Sequence, residues 1–163
     1  MPTHENHPFP PVWNERSRIL ILGSFPSVRS REIGFYYGHP QNRFWPLLAQ
    51  LFHENTPVTI EDRRSFVLRH GIALWDVIES CQITGSSDSS IRNTKPNDIA
   101  GLISQTSIDH VYCNGQQAWR LYQKYCANGC GIQAISLPST SPANAAWNLD
   151  RLADAWQIIL PSQ

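Results

Sequence analysis

Apolar residues follow two kinds of pattern along this chain, and the alternation between them predicts its architecture. Short continuous apolar runs closed by Gly, Asp or Asn fit strands buried on both faces. Three segments have this form, 18–22 closed by Gly23, 72–75 ending at Asp76 and 110–114 ending at Asn114, and 132–137 is the fourth expected strand. Between them, apolar positions recur at helical spacing. Phe44, Leu47, Leu48, Leu51 and Phe52 form one stripe, with Pro46 tolerated because it falls in the first turn. Thr59 to Asp62 resembles a capping box with Asp in place of Glu, opening a helix that runs to His70 and stops at Gly71. Ile99, Leu102 and Ile103 mark a helix after Asn97, and Ala118, Leu121, Tyr122, Tyr125 and Cys126 mark another. Leu149, Leu152, Ala153, Trp156, Ile159 and Leu160 form the buried face of the last helix. Ser141 is its expected cap and Pro142 its expected first residue.

Strands alternating with helices predict an α/β fold: three layers, α/β/α, around a central four-stranded parallel sheet. At 163 residues the whole chain, 1–163, is expected to be one domain. Residues 1–17 are expected as an extended N-terminal arm, kept irregular by Pro8, Pro10 and Pro11. Two stretches are expected as loops, 24–41 and the polar, Ser-rich 81–95. Loops of that length are usually functional or mobile. In such a sheet, ligands bind at the carboxyl ends of the strands. That rule selects Gly23-Ser24-Phe25-Pro26, Trp75-Asp76, Asn114-Gly115 and Pro138-Ser139-Thr140-Ser141. Two loops rich in small polar and aromatic residues, 36–45 and 137–145, lie on the same edge.

Charge narrows the partners. Thirteen basic residues balance thirteen acidic ones, so the chain does not grip nucleic acid by charge alone. A protein that reads one lesion through few phosphate contacts remains compatible with this balance. Arg16, Arg18, Arg29, Arg31 and Arg43 crowd the first quarter, and Arg92 and Lys95 flank the Ser-rich stretch. No apolar run approaches the ~20 residues of a membrane span, and the N-terminus is not signal-like. A soluble, cytoplasmic protein, nucleoid-associated if prokaryotic, is the expectation. Cys81, Cys113, Cys126 and Cys130 show no repeated metal-binding spacing and are expected as free thiols, with no metal and no cofactor.

The chemistry available at the strand ends is neutral. Amides, hydroxyls and aromatics dominate, and Asp76 is the only well-placed carboxylate, one short of a paired-carboxylate hydrolase. No nucleophile elbow, Walker A loop or dinucleotide fingerprint occurs. Such a site suits a reaction with a good leaving group, such as breaking the N-glycosidic bond of a deaminated base. Fixed dipoles stabilise the charge that moves onto the departing base, once that base has left the duplex stack. Tyr36 and Tyr37 are candidates to stack on it, worth about 1–3 kcal/mol per base. Each residue also has a plainer reading. Asn42 fits an N-cap, Tyr37 a core position, Asp76 and Asn114-Gly115 a turn, and Ser139 to Ser141 a helix cap that would also favour a phosphate.

The two loops carry a resemblance to the uracil-DNA glycosylase superfamily. Tyr37-Gly38-His39-Pro40-Gln41-Asn42-Arg43-Phe44-Trp45 is similar to the aromatic-x-His-Pro-x-Asn-Arg-Phe-Trp segment of its mismatch-specific branch. Gly23-Ser24-Phe25-Pro26-Ser27 stands where that branch has Gly-x-Asn-Pro-Gly, with Phe25 in place of the water-positioning Asn. Leu137-Pro138-Ser139-Thr140-Ser141 stands where it has Leu-Pro-Asn-Pro-Ser. These departures resemble the deoxyinosine (hypoxanthine-DNA) glycosylase branch.

The resemblance implies a uracil-DNA glycosylase-like fold and a monofunctional enzyme that removes hypoxanthine from deoxyinosine in damaged DNA, single- or double-stranded. It implies Asn42 as the catalytic amide. Tyr37, Phe25, Asn114 and Asp76 are expected at the base, and Ser24, Arg43, Ser139, Thr140 and Ser141 at the DNA. No lysine is placed to form a Schiff base, so strand cleavage is not expected. A monomer is expected. The alternatives are uracil or xanthine as substrate, or a catalytically silent α/β module that binds a nucleotide or abasic DNA, which Phe25 keeps open.

Overall fold

The structure, a computed structural model, describes residues 2–161. Met1, the first residue of the expected arm, lies outside the described residues. The main sheet has four parallel strands in the order β3-β2-β6-β7: β2 (Ile19–Gly23), β3 (Ile72–Asp76), β6 (His110–Asn114) and β7 (Ala134–Leu137). All four expected strands are present. Alternate residues of β2 serve opposite faces, as the two-residue period of a strand requires. Ile19 and Ile21 join a cluster built with helices α2 (Phe44–Phe52), α3 (Ile60–Arg69) and α7 (Leu149–Trp156). Leu20 and Leu22 join the opposite cluster, built with α4 (Ile99–Ser104) and α5 (Gln116–Tyr125). Burial on both faces explains why β2 is continuously apolar, whereas the edge strand β7 leaves Ile135 and Ser136 exposed.

Local signals place the helix ends. Thr59 accepts from the Asp62 amide at the start of α3, and Gly71 follows that helix with φ 71°. Asp98 caps α4 by accepting from the Gly101 amide. Leu152 and Trp156 of α7 are fully buried, and Leu149, Ala153 and Leu160 pack against the same cluster.

Four features differ from the expectation. The loop after β2 contains a short helix, α1 (Val28–Ile33), capped by Ser27 and ended by Gly34 at φ 85°. The arm carries strand β1 (Thr3–Asn6), despite its prolines. The Ser-rich stretch overlaps a hairpin of β4 (Ile78–Ile83) and β5 (Arg92–Pro96), which joins β1 in a small antiparallel sheet. Ile78, Cys81 and Ile83 are buried there, among polar neighbours that disguise a strand covered on one face. A register shift at Ser80 further breaks the alternation. Lastly, α7 begins at Leu149 under an Asn148 cap, not at Pro142 under Ser141. Residues 139–147 are instead tied into turns: Ser139 Oγ accepts from Ser141 N, Ser141 Oγ from Ala143 N, and Asn144 Nδ2 donates to the Ser139 carbonyl. Side chains of this kind compete with the helix for backbone partners.

The arm then crosses between the sheets. His7 N bonds the Glu79 carbonyl of β4, and Val12 bridges Leu74 on the β3 edge of the main sheet. This path carries His7 past the carboxyl end of β3. Among the described residues, no helix is long and apolar enough to cross a membrane.

Candidate active site

The carboxyl edge of the main sheet encloses a hollow of about 130 Å³, lined by Gly23–Ser27, Tyr36, Tyr37, Asn42, Asp76, Asp88, Asn114 and Ser139–Ser141 among others. A larger groove of about 680 Å³ adjoins it, sharing Asp88, Ser139 and Ser141 and reaching Gln116 and Trp147. Of the residues expected at the site, all but Arg43 line the hollow.

Asn42 precedes α2. Its Oδ1 accepts from the Phe44 amide at 3.0 Å and from the Thr140 hydroxyl at 2.8 Å. Two donors on one oxygen settle the orientation of the amide, and Nδ2 makes no hydrogen bond among the described residues. Asn42 is not the N-cap, a position that falls on Arg43 without a side-chain bond; its oxygen instead accepts from the first helical amide, and Nδ2 stays uncommitted on a residue that lines the hollow. Thr140 is fully buried. Its amide donates to Asn114 Oδ1 at 3.0 Å, and Asn114 Nδ2 donates to its hydroxyl at 3.0 Å. Asn114, Thr140 and Asn42 thus form a single chain of hydrogen bonds joining the end of β6 to both motif loops. Thr140 was expected at the DNA backbone; the structure places it beneath the surface instead, because both of its donors and its hydroxyl oxygen are committed to two amides.

Arg43, also expected at DNA, turns the other way. Nε lies 3.4 Å from the Thr140 carbonyl, and Nη2 donates to the carbonyls of Ser141 and Asn144 at 2.7 and 3.1 Å. Nη1 donates to the Trp147 carbonyl. A guanidinium with its fork on four backbone oxygens holds the second loop in place. Those carbonyls are also unavailable to a helix, which is a further reason α7 starts late.

Tyr37 sits at φ 54°, in the left-handed region where a bulky residue is an outlier. Its ring stacks on Phe44, with centroids 4.0 Å apart, so one of its faces is already covered. Its hydroxyl is the one buried side-chain polar atom without a hydrogen-bond partner among the described residues. Burial pushes this phenol well above its usual range, and the nearby Asp76 charge pushes it further. The Asn114 amide lies close enough to offset part of this, without the alignment of a hydrogen bond. Phe25 is buried, with its ring edge-on to His7 and the Arg31 guanidinium over it at 5.5 Å.

Asp76 ends β3 and is almost fully buried. Gly23, its neighbour across the β2–β3 pair, makes room for it: a Cβ there would come within 2.4 Å of Asp76 Oδ1 and 3.4 Å of the Tyr37 hydroxyl. Ser24 Oγ donates to Asp88 Oδ1 at 2.8 Å. Asp88 is an exposed residue, but its carboxyl is crowded by the hollow. Burial raises its pKa, the Ser24 hydrogen bond opposes the rise, and the Asp76 charge adds to it.

Sequence reasoning missed two of these groups. His7 Nε2 lies 2.7 Å from Asp76 Oδ2, a pairing across sixty-nine positions for which the arm carries no local signal. Asp88 lay inside a stretch read as loop, and only the hairpin brings it to the edge. The basic residues sort by end of the sheet. Arg16 and Arg18 line a separate hollow with Arg69 and His70, beside the start of β2, whereas Arg31 lies near the site. The four cysteines are free, and burial pushes the Cys113 thiol up to about 12.

Residues 10–160 match the family model of the uracil DNA glycosylase superfamily. A hypoxanthine DNA glycosylase of Methanosarcina acetivorans is 35% identical over 153 residues, covering 93% of this chain and 95% of the relative. A hypoxanthine DNA glycosylase of Methanosarcina barkeri is 38% identical over 138 residues, covering 83% and 86%. A uracil DNA glycosylase candidate from Methanosarcina acetivorans, solved by solution NMR, superposes with a TM-score of 0.79 at 34% identity, over 93% of each chain.

Proposed function

This chain belongs to the uracil-DNA glycosylase superfamily, and from that premise we propose that it hydrolyses the N-glycosidic bond of hypoxanthine in deoxyinosine, leaving an abasic site. The observation that carries the reading is the Asn42 carboxamide, with its oxygen tied down and its Nδ2 left at a hollow rimmed by aromatics. Relatives of similar length named hypoxanthine DNA glycosylase support the choice of base.

The hydrogen-bond inventory favours one role for that amide. Oδ1 already accepts twice, so it has no lone pair to orient or deprotonate a water. Nδ2 is a donor only. A fixed donor stabilises negative charge on the base as the carbon–nitrogen bond breaks, and costs no reorganisation at that moment. Water oxygen bonds to the sugar carbon as the carbon–nitrogen bond breaks, and the proton that water loses balances the one the base takes up as it leaves as the neutral purine. Asn114 acts through Thr140 to keep the amide in this orientation. Phe25 and Tyr37 wall the hollow in which the extruded base sits. Ser139 and Ser141, shared by hollow and groove, are the groups placed for the DNA backbone.

The test is a duplex with a single deoxyinosine, incubated with the protein and then treated with alkali. Strand breaks at the lesion are expected, and their absence would leave a binding module only. Asn42→Ala is expected to slow excision by about 10²–10³ while lesion binding persists. Parallel duplexes with uracil and xanthine rank the substrates.

A further inference from the structure

We propose that His7 and Asp76 form a recognition unit that reads the lactam edge of hypoxanthine, with His7 the positioning residue that holds the Asp76 carboxyl by Oδ2 so that Oδ1 stays in place as the acceptor. The inference rests on the glycosylase reading and concerns how that site tells hypoxanthine from adenine. It starts from an inventory of protons. His7 Nδ1 lies 2.8 Å from the Phe9 carbonyl, which only accepts, so Nδ1 carries a hydrogen. His7 Nε2 lies 2.7 Å from Asp76 Oδ2, and the two side chains are 4% and 5% exposed. One proton occupies that short contact. If it rests on nitrogen, the pair is imidazolium and carboxylate. If it rests on Oδ2, Oδ1 is the carbonyl oxygen of the acid. In both cases Oδ1 only accepts.

Asp76 Oδ1 makes no hydrogen bond among the described residues, and Asp76 lines the hollow. Beside it is the Tyr37 hydroxyl, the buried donor without a partner. Both oxygens neighbour the same point above Gly23, where no side chain intrudes. An acceptor next to a free hydroxyl donor complements the edge that deamination of adenine creates, an N–H beside a carbonyl. Hypoxanthine has it at N1–H and C6=O. Adenine has the reverse, a bare N1 beside an amino group, so its N1 lone pair would face Asp76 Oδ1. Hydrogen-bonding sites of this kind reject a ligand that leaves their buried groups unpaired. Without His7, Oδ2 loses its partner and the carboxyl is free to turn, so Oδ1 is no longer held beside the Tyr37 hydroxyl.

The experiment compares excision of hypoxanthine with that of 1-methylhypoxanthine, which keeps the carbonyl and replaces N1–H by a methyl. The ratio is measured within each variant, so partial loss of folding cancels. Wild type is expected to favour hypoxanthine, and Asp76→Ala, which removes the acceptor and makes room for the methyl, to shrink the ratio by at least about tenfold. His7→Ala is expected to shrink it in the same direction, and the double variant to match Asp76→Ala, because His7 acts through Asp76. An unchanged ratio in Asp76→Ala overturns the inference while excision by wild type leaves the glycosylase reading intact. Additive losses in the double variant overturn the positioning role of His7. Failure of wild type to excise hypoxanthine overturns both readings.

Discussion

The Thr140 hydroxyl donates to Asn42 Oδ1 at 2.8 Å, and this bond, beside those of Arg43, joins the two motif loops across ninety-eight positions of sequence. Thr140 also takes both ends of the Asn114 amide. The orientation of the candidate catalytic amide is therefore decided by a fully buried residue that never reaches the hollow's solvent side. Buried polar chains of this kind specify one geometry when every member is satisfied.

Thr140→Val keeps the volume and removes the hydroxyl. Asn42 Oδ1 then keeps one donor, and Asn114 Nδ2 loses its acceptor. An unsatisfied buried group costs about 1–3 kcal/mol, so urea unfolding is expected to show a loss in that range. Single-turnover excision of deoxyinosine is expected to fall, though by less than in Asn42→Ala. Wild-type excision by Thr140→Val would show that the amide keeps its orientation without this bond.

Arg43→Lys tests whether this cation serves the protein or the DNA. Lysine cannot span four carbonyls with one point charge, so the second loop is expected to loosen. The expected cost is about 1.5–3 kcal/mol per lost charged hydrogen bond that is not replaced, read from urea unfolding. The slope of log affinity for DNA against log salt is expected to stay unchanged. A phosphate contact would instead lower that slope by about 0.9, and such a drop would return Arg43 to the DNA.

Much of this arrangement is legible in the sequence. The apolar runs of β2, β3 and β6 announce a doubly covered sheet because residues of both their faces are buried, whereas the edge strand β7 has Ile135 and Ser136 exposed. The strand-end rule then brings Gly23, Asp76, Asn114 and Ser139 to one edge. The small sheet was not legible for the opposite reason. β5 is an exposed, mostly polar strand, Arg92-Asn93-Thr94-Lys95-Pro96, and its composition resembles a loop. His7 escaped notice because its partner lies far along the chain and no periodicity marks it. Arg43 and Thr140 are legible as site residues, but their partners within the protein are not. Sequence motifs fix which residues stand in a loop, and only packing decides which of their donors turn inward.

Gly23→Ala is a small change at a tight place. The new methyl carbon would stand 2.4 Å from Asp76 Oδ1, so the carboxyl or the strand must move. Overpacking of this kind costs about 1–3 kcal/mol. Because the methyl enters the space shared by Asp76 and Tyr37, excision is expected to fall by more than the loss of folded protein explains. Circular dichroism together with excision rates separates the two effects. Normal excision would mean that this space is not used by the base.

Asp88→Asn gives a pH-dependent prediction whose sign follows from the direction of the shift. Burial raises the Asp88 carboxyl in the folded protein above its unfolded value. A raised acid binds its proton more tightly when folded, so ionisation opposes folding. That penalty is complete above the folded pKa and vanishes below the unfolded one, about 3.9 for Asp. Asparagine cannot ionise and retains an oxygen to accept from Ser24 Oγ, which now donates to Asp88 at 2.8 Å. The variant is therefore expected to be more stable than wild type at neutral pH, with the difference closing as the pH falls through the ordinary carboxylate range. Urea unfolding measured between pH 3 and pH 8 follows that difference. Asp88 also lines both the hollow and the adjoining groove, so removing its charge is expected to tighten DNA binding at low salt. A stability difference that grows as the pH falls would contradict the assigned cause and show that the carboxylate is stabilised, not strained, by its place beside the hollow.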